Sequence, residues 1–228
     1  MNFYIANEQL DAQIIEIKQK IRLSMNGVTA DSMKSKGVLY KQNFGVELPV
    51  LREMAKLYSP SHDLAQRLWQ IGGRETMILS VFLQPLAGFT IIKALERVKS
   101  AQQKEIIDIL CLYLLSKVEF APQLCIELLN SEQTNCQIAG YMLASRIYSQ
   151  FSESQTKQII NKSVELSITD DYQLYKSIGI CLGRLCRINT ATAQAIMAAI
   201  ENFSNNEIPS QRAIATEVKY EMDFLRYL

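Results

Sequence analysis

Apolar residues recur at three- and four-residue spacing almost from one end of the chain to the other, and no segment keeps the period-two alternation of a half-buried strand. That rhythm predicts an all-α protein. The expected helices are 8–25, 29–36, 49–58, 62–71, 74–84, 89–99, 101–116, 120–130, 134–150, 154–167, 171–187, 190–203 and 210–227. Pro49 suits a first helical position, Ser61 can cap the helix opening at His62, and Ser154 and Thr190 precede periodic runs.

From about residue 88 the helices fall into pairs, 89–99 with 101–116, 120–130 with 134–150, 154–167 with 171–187 and 190–203 with 210–227. A repeat of 30–38 residues is the period of a helical-hairpin solenoid. In such an array the inner helices read apolar nearly all round, as Ile106-Ile107-Asp108-Ile109-Leu110-Cys111-Leu112-Tyr113-Leu114-Leu115 does. The expected architecture is therefore one α-α superhelical domain over 1–228, with N-terminal helices in 1–45 and paired helices in 46–228. A stack of this kind leaves a concave binding face lined by its second helices.

Composition narrows the function classes. With 48% hydrophobic and 21% charged residues, nine glycines and five prolines, the chain is neither disordered nor dominated by loops. Its longest apolar run, Ile109 to Leu115, is far shorter than the roughly 20 residues of a membrane span. The segment from Met1 to Glu8 has no basic stretch followed by an apolar core, so no secretory signal is expected and the cytoplasm is the expected compartment. Five cysteines without a Cys-x-x-Cys read as buried thiols, and a single histidine, His62, leaves a zinc or iron site short of ligands. No metal or cofactor is expected.

Three segments carry a family likeness. Phe44-Gly45-Val46-Glu47-Leu48-Pro49-Val50-Leu51-Arg52-Glu53-Met54-Ala55-Lys56 has the Gly-Val-x-x-Pro-x-Leu-Arg-x-x-Ala-Lys spacing that opens the HEAT-like DNA alkylation repair family. Leu68-Trp69 followed by Arg74-Glu75 resembles that family's Leu-Trp and Arg-Glu helix pair. Lys176-Ser177-Ile178-Gly179-Ile180-Cys181-Leu182-Gly183-Arg184 is similar to its Lys-Ala-Ile-Gly-Trp-x-Leu-Arg segment. The likeness spans about 45–190 with the motifs in the right order. It implies a HEAT-like solenoid that grips duplex DNA and, in its best-known members, releases N3- and N7-alkylated purines. Catalysis there requires an aspartate and tryptophan faces around a developing oxocarbenium cation.

The chain departs from that pattern where the chemistry sits. The family's Trp-Asp-x-Val-Asp falls on Lys104-Glu105-Ile106-Ile107-Asp108, so Asp108 keeps the second carboxylate while Lys104 replaces the tryptophan. The second pocket tryptophan falls on Ile180, and an arginine pair falls near Cys136-Gln137. Trp69, the only tryptophan, belongs to another motif. The resemblance thus implies a DNA-binding member with weak or no catalysis, the alternatives being an alkylpurine glycosylase acting through Asp108 and a solenoid that binds a protein partner.

Charge supplies the remaining candidates. On 171–187, Lys176, Ile180, Gly183, Arg184 and Arg187 share one face at 100° per residue, opposite Leu174, Ile178, Cys181, Leu182 and Leu185. Either this face grips phosphates or it is a solvated surface, and no acidic residue between Asp171 and Glu201 neutralises it along the helix. Between Lys18 and Val46 stand Lys18, Lys20, Arg22, Lys34, Lys36 and Lys41 against Asp31 alone, and Lys34, Lys36 and Lys41 surround Tyr40. Asp108, four residues after Lys104, is either the glycosylase carboxylate or that lysine's ion-pair partner. His62 reads as a surface residue and Gly72-Gly73 as a break between helices. A formal net charge of +1 means that any binding of damaged or branched duplex must come from local patches.

Overall fold

The computed structural model describes residues 7–225; the N-terminal segment 1–6 and the expected end of the last helix at 227 lie outside the described residues. These form thirteen α-helices and three short 3-10 turns, with no strand among them. In chain order the helices are α1 (Glu8–Leu23), α2 (Gly27–Ser35), α3 (Leu48–Ala55), α4 (His62–Ile71), α5 (Arg74–Phe82), α6 (Ile91–Ser100) and α7 (Lys104–Tyr113). They continue as α8 (Ala121–Leu129), α9 (Thr134–Arg146), α10 (Glu153–Glu165), α11 (Tyr172–Leu185), α12 (Thr190–Ala199) and α13 (Pro209–Leu225). Every expected helix exists. Three of the expected stretches, 101–116, 134–150 and 190–203, end in 3-10 turns at Leu115–Lys117, Tyr148–Gln150 and Glu201–Phe203.

The caps explain most boundaries. Ser61 accepts the Leu64 N–H at 3.4 Å, as its position predicts. The start of α10 is set by Ser152 rather than Ser154, because Ser152 and Gln155 form a reciprocal capping box. Similarly, Asn189 caps α12 through the Thr192 N–H at 2.8 Å, and Thr190 is the first helical residue. Gly72, at φ +73°, ends α4 in the left-handed region and Gly73 precedes α5, so the double glycine is the expected break.

Contacts divide the chain into two compact units, Met1–Phe89 with Gln103–Leu114, and Thr90–Gln102 with Leu115–Leu228. In the first, α5 is buried from Arg74 through Val81 and packs on α3, α4 and α7, while α1 lies on α4 with Ile17 and Ile21 inside. In the second, α8 pairs with α9 and α10 with α11; the first helices α6, α8, α10 and α12 form one layer, and α9, α11 and α13 the other. Leu124, Leu128, Leu143, Ile178 and Leu182 are fully buried here, each contributing roughly 1.5–3 kcal/mol relative to exposure. The expected pairing of 89–99 with 101–116 does not hold, because α6 packs on α8 and α9 whereas α7 packs on α5. Extended backbone at the buried Ala101 ends α6 and redirects the chain.

All five cysteines are free and buried. No helix among the described residues is long and apolar enough to cross a membrane.

Candidate nucleic-acid interface

The motif around Gly45 builds a buried anchor. Gly45 adopts φ +68°, and a Cβ there would lie 2.2 Å from the Asn26 carbonyl oxygen and 2.7 Å from the Ala30 nitrogen, so only glycine fits against the start of α2. The Phe44 and Val46 N–H groups donate to the Glu75 carboxylate at 3.1 and 3.3 Å. Arg74 then closes the network: its Nη1 donates to the Val46 carbonyl at 2.8 Å, and its Nε and Nη2 grip both oxygens of Glu105 at 2.9 and 2.6 Å. Tyr40 donates its hydroxyl to the same carboxylate at 2.6 Å.

Burial alone would raise the Glu105 carboxyl, but Arg74 and Tyr40 outweigh it and hold that carboxyl below the usual range. The Tyr40 hydroxyl, desolvated and facing a carboxylate, is pushed well above its ordinary value. Arg74-Glu75 and the Gly-Val-x-x-Pro segment are therefore fold determinants that fix residues 40–46 on α5 and α7.

Lys18, Arg22, Lys34, Lys36 and Lys41 are all exposed, and none makes an ion pair among the described residues, whereas Lys20 pairs with Glu16 at 3.2 Å. Lys18 and Arg22 line a small cavity of about 70 Å³ with Gln42, Gly73 and Thr76. The Lys41 stem passes near the same double glycine, 3.9 Å from where a Gly72 Cβ would stand. Three of the five thus gather at the α4–α5 junction.

The α11 face is different. Its buried side carries Leu174, Ile178, Cys181, Leu182 and Leu185, as the helical phase predicts. The two glycines do admit a close approach, but the approaching chain is α13: Cβ atoms on Gly179 and Gly183 would stand 2.9 and 3.1 Å from the Cβ atoms of Glu217 and Glu221. Glu221 ion-pairs with Arg187 and, at 3.6 Å, with Arg184. Neutralisation absent along α11 is supplied by a carboxylate 34 residues downstream of Arg187. Lys176 stays exposed, donating to the Tyr172 hydroxyl at 3.2 Å with its ammonium over the ring, and Ile180 is half-buried between.

The positions expected to carry glycosylase chemistry lie on α7, α9 and α11. Asp108 and Lys104 are half-buried on α7. Cys136 and Gln137 are buried, the latter donating to the Ser131 carbonyl at 2.8 Å. Trp69 is half-buried in α4. His62 is more than a surface residue, since Gln84 Nε2 donates to its Nδ1 and its Nε2 donates to the Ala87 carbonyl, both at 2.6 Å.

Sequence reasoning missed two features. One is the acidic partner on α13, signalled by Glu217 and Glu221 four residues apart. The other is a trio of strongly exposed apolar side chains at the α1–α2 corner, Leu23, Met25 and Val28, which break the polar run of that segment.

No family model and no curated protein sequence matches this chain. Among solved structures, the chain is similar to a member of "a new family of proteins related to the HEAT-like repeat DNA glycosylases with affinity for branched DNA structures". The TM-score is 0.74 at 14% identity, over 90% of this chain and 93% of the other. A designed armadillo repeat protein in complex with peptide (KR)4 aligns with a TM-score of 0.41 at 12% identity, over 76% of this chain and 91% of that one. The chain therefore has the all-helical fold of the HEAT-like repeat proteins.

Proposed function

We propose that this chain is a DNA-binding HEAT-repeat protein that recognises damaged, branched or otherwise structured duplex, with weak or no glycosylase activity. The observation that carries the reading is the set of five exposed cations in the first unit, Lys18, Arg22, Lys34, Lys36 and Lys41, none of which makes an ion pair among the described residues. Phosphate contacts of this kind supply sequence-independent affinity, and a rigid scaffold beneath them fixes their spacing. The fold's likeness to a family with affinity for branched DNA supports the same substrate class. Lys176 adds a further contact, and Arg184 and Arg187 join only when Glu221 releases them.

Catalysis is weak or absent on chemical grounds. A cationic transition state needs aromatic faces beside its carboxylate, and here Lys104 and Ile180 stand where tryptophans would.

Replacing Lys34, Lys36 and Lys41 together by alanine tests the reading in an anisotropy titration against a salt series. Each lysine withdrawn from a phosphate flattens the slope of log K against log salt by about 0.9, so the triple variant should lose about 2.7 units of slope on every DNA sequence alike. An unchanged slope would remove these lysines from the interface.

A further inference from the structure

Leu23, Met25 and Val28 are 88%, 62% and 83% exposed, three large apolar side chains within six residues. All stand on the corner between α1 and α2, and that corner is rigid. The Ser24 N–H caps α1 on the Lys20 and Ile21 carbonyls at 3.1 and 3.2 Å, and the Asn26 side chain caps α2 through the Thr29 N–H at 3.1 Å. Asn26 also donates its own N–H to the Phe44 carbonyl at 2.8 Å, tying the corner to the segment that Glu75 holds. Apolar groups displayed on fixed backbone and rimmed by charge mark a contact surface.

The rim identifies the occupant. Arg22 directly precedes Leu23 and Lys18 lies about one turn before Arg22 on α1, both exposed and without a carboxylate partner among the described residues. Three side chains on a narrow corner are too few for a stable protein interface of about 800 Å² per partner, and a stacked duplex offers phosphates but no apolar face. A branch point offers both, since bases there are unstacked and phosphates flank them. Apolar wedges between base steps and flat stacking on exposed bases are physical modes of such contact.

We propose that Leu23, Met25 and Val28 form an apolar wedge that packs against unstacked bases at a DNA branch while Lys18 and Arg22 hold the flanking phosphates. This rests on the DNA-binding reading above and specifies which part of the DNA the first unit meets.

The test compares wild type with the Leu23→Ser, Met25→Ser, Val28→Ser triple variant, whose substituted side chains are exposed and whose fold is checked by thermal melting. Anisotropy gives the affinities for a three-way junction and for a linear duplex of equal length, and 2-aminopurine placed at the branch reports base stacking. The wedge predicts about a tenfold loss on the junction, little change on the linear duplex, and a 2-aminopurine response with wild type alone. Equal junction affinity for both proteins would overturn the wedge while leaving the DNA reading intact, whereas wild type binding junction and duplex alike would overturn both the wedge and the preference for branched DNA. Unchanged DNA binding in both proteins, together with abolished concentration-dependent dimerisation in the variant, would overturn the wedge and assign the corner to a second copy. Wild type that binds no DNA would end both readings.

Discussion

The Gly45 main chain passes so close to Asn26 that a Cβ on residue 45 would lie 2.2 Å from the Asn26 carbonyl oxygen. This contact joins the first helix corner to the Arg74–Glu75 network, and it requires both the missing side chain and the left-handed φ of +68°. Gly45→Ala should therefore cost about 2–5 kcal/mol, combining a strained backbone with an overpacked contact. Urea denaturation reads this as a lowered midpoint; a midpoint within experimental error of wild type would mean that the corner is not held by this approach.

Arg74 and Glu105 make stability depend on pH. The Glu105 carboxyl sits below the ordinary glutamate value of about 4.3, so its stabilisation is complete above that pH and is lost as pH falls through the folded value. Between pH 7 and pH 3, wild type should lose more stability than Glu105→Gln, which has no proton to take up at this site. Arg74→Met, leaving Glu75 and Glu105 without their cation, should cost about 3–5 kcal/mol at pH 7. Parallel acid titrations of wild type and Glu105→Gln would argue that the pair does not carry this linkage.

Glu221 holds the α11 arginines in check. Because these groups are partly exposed, Glu221→Gln should lower stability by no more than about 1 kcal/mol. If DNA reaches this face, the freed Arg184 and Arg187 should tighten binding and steepen its salt slope by about one to two units. Unchanged affinity and slope would confine the interface to the first unit.

The thiols supply an independent check on the core. Burial pushes the Cys186 thiol up to about 11, with Glu221 adding to the effect, and lifts the buried Cys181 thiol further. At pH 8 an aromatic disulfide reagent should leave all five cysteines of the folded protein essentially unreacted and titrate five after denaturation. Rapid reaction of one or more in the native state would contradict the packing of α9, α11 and their neighbours.

Much of the fold is legible in the sequence because helical rhythm is a local property. Ile17 with Ile21 on α1, and Ile178 with Leu182 on α11, declare their buried face within a few residues, and Ser61 and Gly72-Gly73 declare their boundaries. Partners distant along the chain are not legible in this way. Nothing near Arg187 announces Glu221, and nothing near Glu105 announces Tyr40, 65 residues earlier. The motif residues Gly45, Arg74 and Glu75 stand out in the sequence as a family likeness, yet their work is architectural, a distinction that depends on hydrogen-bond geometry. The exposed corner at Leu23 is legible only as apolar residues out of phase, which by itself names no partner.

The most direct measurement is the salt dependence of wild-type affinity for a three-way junction and for a linear duplex of the same length. Binding through the first unit's basic patch predicts affinity for both that falls steeply with salt, with a slope of about −4 to −5 if all five cations contact phosphates, and tighter binding of the junction at every salt concentration. No detectable binding to either DNA at low salt would contradict the DNA-binding reading outright.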